Sequence, residues 1–281
     1  MPANPDLMIV DLKNAFRAPG CPICRLRRET EDRFFYYLVY ENVNDVGTRL
    51  HLRRSLGLCP EHAWRLQATE EALWGDGLGN GIIYEDLIRK VLTILSSYDA
   101  EHLQGQAGTS HPYESRQQRL RRWLVQHGTL GRWLAAHLEP PSPVENLLPC
   151  LVPREGCLAC VSGERSAGGY LLFLTQGLAD PDFRAAYLAS GGLCLRHLRG
   201  ALERVAAPET AHFLAASAAA RLSALQRDVG EYCRKQAWQY REEPKHPQEQ
   251  ASWVRAVAFF AGEASPREDD AVYDARQRAL A

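Results

Sequence analysis

Two cysteines three positions apart, followed further along by a cysteine and a histidine three positions apart, supply the four donors that a tetrahedral metal ion takes. This chain carries that pattern twice. Cys21-Pro-Ile-Cys24 is followed after 34 residues by Cys59-Pro-Glu-His62, and Cys157-Leu-Ala-Cys160 after 33 residues by Cys194-Leu-Arg-His197. The spacing lets both side chains of a pair turn toward one ion. On a first helical turn, residues i and i+3 share a face, and the helix N-terminus favours the thiolates a metal needs. Four protein donors leave no open coordination position, so the chemistry expected is structural. The reading is two Zn2+, one held by Cys21, Cys24, Cys59 and His62, the other by Cys157, Cys160, Cys194 and His197. An iron–sulfur cluster is the alternative, although cluster ligation is normally dominated by cysteine. Haem attachment would need a histidine directly after the second cysteine, where Arg25 and Val161 stand. A thioredoxin-like dithiol would need a βαβ setting.

The two copies match beyond their ligands. Placing Cys59 on Cys194 sets a register of 135 residues, and Asp45 then falls on Asp180, Arg49 on Arg184, Ser55 on Ser190, Gly57 on Gly192 and Leu58 on Leu193. Glycines 20 and 156 each precede the first cysteine of their copy. The expectation is an internal duplication, its period too long for a solenoid repeat of about 20–50 residues. The recurring Asp-x-x-x-Arg admits two readings. One is a helix N-cap with an i,i+4 ion pair. In the other, Arg49 and Arg184 donate to the thiolate sulfurs and steady them.

The elements that must position these residues are helical. Residues 25–41 carry Arg25/Glu29, Arg27/Glu31, Arg28/Asp32 and Glu29/Arg33 at i,i+4, with Phe34, Phe35 and Leu38 for burial. Asn44-Asp45 offers an N-cap to a short helix that ends at Gly57. Cys59-Pro60 opens the next, with Pro60 where a missing N–H costs nothing. A further helix spans 82–102, with Ile83, Leu87, Val91, Ile94 and Tyr98 on one face. Its counterpart over 208–240 carries Ala218, Leu222, Leu225, Val229, Tyr232 and Gln236 in a nearly heptad stripe. No run of alternating strand residues appears. The fold class expected is all-α, two homologous helical halves each clasped by a Cys3His site. The divisions expected are a first metal-binding repeat over 1–110, a connecting basic helix over 111–140, a second repeat over 141–243 and a partly flexible tail over 244–281.

Composition narrows the function. Of 281 residues 46% are hydrophobic and 24% charged, which excludes wholesale disorder. The formal charge of −1 provides no field that would gather nucleic acid or anionic lipid. No window reaches the ~18 apolar residues of a spanning helix, and the first residues lack a signal-peptide pattern, so a cytoplasmic location without membrane contact is expected. Thiols stay reduced there, which favours metal over disulfides. The local exception to the charge balance is Arg116, Arg119, Arg121, Arg122 and Arg132 with Trp123 and Trp133, a helix that could lie on nucleic acid or expose a solvated basic face. The Gly75-Asp-Gly77-Leu-Gly79-Asn-Gly81 stretch follows a helix and lacks a Gly-Lys-Ser/Thr ending, so it reads as a helix connection rather than a phosphate cradle. No Ser-His-Asp, paired-carboxylate or open metal arrangement emerges, and the chain is read as non-catalytic. Cys150 and Cys233 lack partners at metal spacing. Cys233 is expected to be a small buried hydrophobe, and Cys150, near Cys157, a candidate for metal exchange or redox.

The run Gly20-Cys-Pro-Ile-Cys24, Asn44-Asp45, Arg49, Gly57-Leu-Cys-Pro-Glu-His62-Ala-Trp64 and Gly79-Asn-Gly-Ile-Ile-Tyr-Glu-Asp86 resembles an uncharacterised bacterial family defined by a domain of unknown function. Its members sometimes carry the automatic label of ABC-transporter substrate-binding protein. The resemblance covers most of the first copy and, more weakly, the second, where Ala179 replaces the asparagine and Arg199 the tryptophan. It implies the eight Cys and His positions above as ligands and brings no activity. The transporter label implies export and a mixed α/β fold, neither of which this sequence suggests. The functional expectation is a protein-interaction or scaffold module. An iron–sulfur or thiol-based sensor of redox state or metal supply, and a nucleic-acid binder using residues 116–132, are the alternatives.

Overall fold

Local signals place the helices. In the computed structural model, which describes residues 5–104, 116–127, 134 and 147–263, every regular element is helical and no strand occurs among the described residues. The α-helices are α1 (Pro5–Phe16), α2 (Pro22–Tyr40), α3 (Val46–Ser55), α4 (Pro60–Trp74), α5 (Leu78–Gln104), α6 (Arg116–Gln126), α7 (Leu158–Gly177), α8 (Pro181–Ala189), α9 (Leu195–Leu202), α10 (Pro208–Arg234), α11 (Pro247–Gln250) and α12 (Ser252–Ala261). Short 3-10 turns lie at Leu148–Cys150 and Trp238–Tyr240. Arg132 and Trp133, the segments 105–115 and 139–143, and the tail from 264 lie outside the described residues.

Caps account for most of the boundaries. Asp45 accepts a hydrogen bond from the Thr48 N–H at 2.7 Å, and Asp180 accepts one from the Phe183 N–H at 2.7 Å, which starts α3 and α8. Helix α3 ends in two left-handed residues, Leu56 at φ 52° and Gly57 at φ 95°, rather than at the glycine alone. Helix α5 begins four residues before the expected 82, because the buried Glu70 carboxylate accepts from the backbone N–H of Gly79 and of Asn80 and satisfies its first turn. The long helix of the second copy stops at Arg234, and the chain re-forms only a 3-10 turn before residue 240.

The chain forms two compact units, one from Met1–Phe35 with Ala159–Ala281, the other Tyr36–Leu158. These do not follow the order of the two copies. The first unit packs α1 against α8, and α12 against α9 and α10. Its core joins Leu12, Phe16 and Ile23 to Leu174, Phe183 and Tyr187, with the Phe16 ring edge-on to Phe183 at 5.2 Å and to Tyr187 at 5.9 Å. The second unit packs α3 and α4 on α5, whose Ile83 and Leu87 are buried as the sequence face requires.

Candidate metal centres

The first group of donors lies wholly in the first unit. Cys21 stands just ahead of α2 and Cys24 lies in its first turn, while Cys194 is the N-cap of α9 and His197 its third residue. The His197 Nδ1 atom lies 3.4 Å from Cys21 Sγ, 3.3 Å from Cys24 Sγ and 3.2 Å from Cys194 Sγ, and Cys24 and Cys194 sulfurs are 3.7 Å apart. With Zn–S near 2.3 Å and Zn–N near 2.1 Å, tetrahedral corners lie about 3.8 Å apart for two sulfurs and about 3.6 Å for sulfur and nitrogen. The donors already stand near those corners. They are too far apart for a disulfide, whose S–S bond is about 2.05 Å, and none of the eight cysteines is disulfide-bonded.

The second group is Cys59, His62, Cys157 and Cys160. Cys59 is the N-cap of α4 with Pro60 at its first position, and its Sγ lies 3.2 Å from His62 Nδ1. Cys157 Sγ is 3.5 Å from the same nitrogen. Cys160 follows in the first turn of α7. Within each group all donor atoms lie within 4.8 Å of one another. The two helix starts share a backbone shape, φ −66° and ψ 162° at Cys59 against φ −69° and ψ 164° at Cys194.

The eight expected ligands are therefore brought together as two Cys3His groups, but the pairing is crossed. The Cys-x-x-Cys of each copy meets the Cys-x-x-His of the other, not its own. Helix lengths are in keeping with this. From Cys24 to its end α2 carries the chain about 24 Å away, and the 10 residues of α3 return it by at most about 15 Å. The 20 residues of α7 and the 9 of α8 do the same in the second copy.

Backbone contacts complete the approach in the first unit. A Cβ on Gly191 would stand 2.5 Å from the Gly20 carbonyl oxygen and 2.7 Å from its nitrogen, so two glycines let the residue before Cys21 touch the loop before Cys194. Arg221 on α10 holds that loop, donating to the carbonyls of Tyr187 at 2.9 Å and Leu188 at 3.1 Å. In the second unit the loop before Cys157 is tied to α3 differently. The Arg154 N–H donates to the Arg54 carbonyl at 2.8 Å, and Arg54 donates to Glu155 at 3.0 Å. His51 sets Nε2 2.8 Å from the Gly156 carbonyl oxygen and Nδ1 2.8 Å from the Glu155 carboxylate. Sequence reasoning passed over Gly191, Arg221, His51 and Arg54. Only the Gly191-Gly192 doublet could have marked a close backbone approach.

The thiols of the first group hold their protons unequally. Hydrogen bonds from the Cys21 and Cys24 thiols, and then the His197 and Arg196 N–H groups, pull Cys194 down to about 3. Cys21 is pushed well above its ordinary value by its hydrogen bonds to Cys194 and Cys24 and by burial. One thiolate is accommodated at the expense of Cys21, and a divalent ion would relieve that competition. His197 Nε2 is buried with no hydrogen-bond partner, leaving Nδ1 as its one engaged polar atom. Beside the second group, burial and then the charge of Cys157 push the Tyr84 hydroxyl up.

The remaining candidates have other partners. Asp45 and Asp180 are N-caps. Arg49 donates to the Ile82 carbonyl at 2.9 Å and lies 3.7 Å from Asp86, and Arg184 donates to the Leu178 carbonyl at 3.0 Å with its guanidinium 4.7 Å from the Phe213 ring centre. The helix boundaries matter more to these arginines than the sulfurs do. Cys150 is half-buried outside both groups, and Cys233 is exposed rather than buried, one position off the packed face that ends at buried Lys235. The glycine stretch is a connection whose helix start is filled by Glu70, so a phosphate would meet a carboxylate there. On α6, Arg119 and Arg122 are exposed, and Trp123 stacks on His127 at 4.1 Å.

No helix among the described residues is long and apolar enough to cross a membrane. The chain is 26% identical over 200 residues to an "Uncharacterized 23.9 kDa protein in xynA 3'region" of Caldicellulosiruptor sp. (strain Rt8B.4), covering 68% of this chain and 70% of that one. No family model matches the chain. No solved structure matches it.

Proposed function

We propose that each Cys/His group binds one zinc ion as a structural staple, in a chain built from two copies of one helical unit, and that the molecule is a non-catalytic protein-interaction or scaffold module of the cytoplasm. The observation that carries the metal reading is the set of donor distances, 3.2–3.4 Å from sulfur to nitrogen and 3.7 Å between sulfurs in the first group. Donors this close surround a single ion, whereas a multi-iron cluster with its own sulfides needs ligands set further apart. Four protein donors per ion leave no position for water or substrate, which favours a structural role over a catalytic one. The common backbone shape at Cys59 and Cys194 and the paired caps at Asp45 and Asp180 support the duplication. Exposed Trp253, Val257 and Phe260 on α12 support docking of a protein partner. Elemental analysis with an absorbance spectrum, on protein purified without oxygen, tests the metal reading. About two zinc ions per chain and no visible absorbance are expected. Iron with inorganic sulfide and a band near ~400 nm would overturn it.

A further inference from the structure

The second unit contains a cleft of about 310 Å³ that has no part in the metal chemistry. Its walls come from the ends of α2 and α4 and the start of α5: Tyr40 and Glu41 from the first, Trp74 and Asp76 from the second, Gly79 and Ile82 from the third. The aromatic wall is ordered. Tyr36 stacks on Tyr40 with centroids 5.5 Å apart and on Trp74 at 5.8 Å, while Tyr37 meets Tyr36 edge-on at 5.4 Å. Tyr40 and Trp74 nevertheless remain 64% and 40% exposed, so faces of large rings are open to solvent.

The charges that line the cleft have one sign: among the described residues Glu41, Glu70 and Asp76 line it, and no lysine or arginine does. Glu70 is buried and committed to the N–H groups at the start of α5, and Asp76 accepts from the Leu78 N–H at 3.1 Å. Those bonds offset the positive end of α5. The carboxyl ends of α2 and α4 converge on the cleft with nothing cationic in the lining to balance them. Gly79 makes the convergence possible: a Cβ there would stand 2.7 Å from Val39 Cγ1 and 2.8 Å from Glu70 Oε1.

We propose that this cleft binds a guanidinium group. A flat, delocalised cation can stack on the Trp74 or Tyr40 face while its N–H groups reach the Glu41 and Asp76 carboxylates and the helix-end carbonyls. A quaternary ammonium ion would use the rings and leave those acceptors unanswered. The guanidinium can belong to a free small molecule or to an arginine side chain of a protein partner. The proposal does not depend on which metal the Cys/His groups hold.

The test uses the full chain with its metal in place, titrated with N-acetyl-arginine-methylamide, tetramethylammonium and an arginine-containing peptide, with binding followed by indole NH signals in NMR. Saturable binding of the arginine derivative is expected, with tetramethylammonium weaker. Trp74→Ala and the surface double variant Glu41→Gln/Asp76→Asn are each expected to weaken it about tenfold or more, and Trp74→Phe to keep most of it. The double variant keeps the test decisive if Trp74→Ala does not fold. Tighter binding of the peptide would identify a protein partner as the source, and equal binding a free cation. Lack of saturation, affinity unchanged in the double variant, or tetramethylammonium binding as tightly as arginine would each overturn the proposal.

Discussion

The two Cys/His groups share a donor set and differ in setting. In the first, Cys21, Cys194 and His197 are 5%, 3% and 4% exposed, and both cysteines belong to the apolar core of their unit. In the second only His62 is buried, at 1%, and its three cysteines are half-buried. The same four donor types are thus embedded in a core at one place and set near a surface at the other. Metal at the first should act as part of the core of its unit, and metal at the second as a fastening for a loop.

Removing one sulfur from each group separates the two settings most strongly. Cys194→Ser should lose its metal and several kcal/mol of stability, because metal binding to a structural site is folding free energy. The same variant also leaves an unliganded polar cluster inside the core. Cys59→Ser should lose one metal equivalent at smaller cost. Metal content with calorimetric unfolding measures both. Equal destabilisation, or the reverse order, would show that burial of the sulfurs does not set the weight of a site.

Glycine substitutions probe the backbone routes to the two groups. Gly191→Ala drives a methyl into the backbone of Gly20, and neither chain can yield without moving Cys21, so a loss above about 3 kcal/mol and of metal from the first group are expected. Gly57→Ala meets only Leu87 Cδ1 at 3.3 Å, but must hold φ at 95°, with an expected cost of about 1–2 kcal/mol. Chemical denaturation of both variants, with metal content, ranks them. A Gly191→Ala protein that keeps its first metal would mean that the close approach does not position the site.

Much of this was legible in the sequence, and what was not has a physical cause. The eight Cys and His residues that come together, both aspartate caps, Pro60 at a helix start and the buried face of α5 follow from local spacing and capping rules, which act within a few residues. The crossed pairing does not, because nothing within one copy says whether its two half-sites meet each other or those of the other copy. Only helix lengths, about 24 Å outward from Cys24 along α2 and about 15 Å back along α3, lean against the local choice. The roles of Arg49 and Arg184 were equally hidden. A guanidinium four residues after a capping aspartate can reach carbonyls, a carboxylate or a sulfur, and tertiary packing decides among them.

A third contrast lies at one register position. Asp86 on α5 and Arg221 on α10 are 135 residues apart, and each secures the short helix that precedes a Cys-x-x-His turn, with opposite charge. Arg221 grips the carbonyls that end α8. Asp86 accepts two hydrogen bonds from Arg53 on α3, at 2.8 and 2.6 Å, which hold its carboxyl below the ordinary 3.8. A depressed folded-state pKa adds stability that is complete well above pH 3.8 and is lost as pH falls through the folded value. Asp86→Asn should therefore cost about 1–3 kcal/mol near neutrality. The gap to the parent should close below pH 4, with Arg221→Ala showing no such closing. Urea midpoints of all three proteins from pH 7 to pH 3 measure it. A gap that stays constant with pH would mean that the ion pair contributes nothing through its charge.

The smallest effect should fall on the caps, where the two copies are most alike. Asp45 and Asp180 each accept one backbone N–H at 2.7 Å and each precede a short helix, but α8 also has Pro181 at its first position and α3 does not. A proline there is already in helical conformation and has no N–H to satisfy, so α8 depends less on its cap. Asp45→Ala and Asp180→Ala are each expected to lower the melting temperature by roughly 2–4 °C, with Asp45→Ala the larger. The Thr48 hydrogen bonds also hold the Asp45 carboxyl below its ordinary 3.8, so its contribution should vanish as pH falls through that lowered value. Melting curves at pH 7 and pH 3 separate the outcomes. A larger loss at Asp180, which starts the helix that leads to the core-embedded Cys/His group, would mean that α8 transmits its cap to the site and that the setting of the group outweighs local helix chemistry.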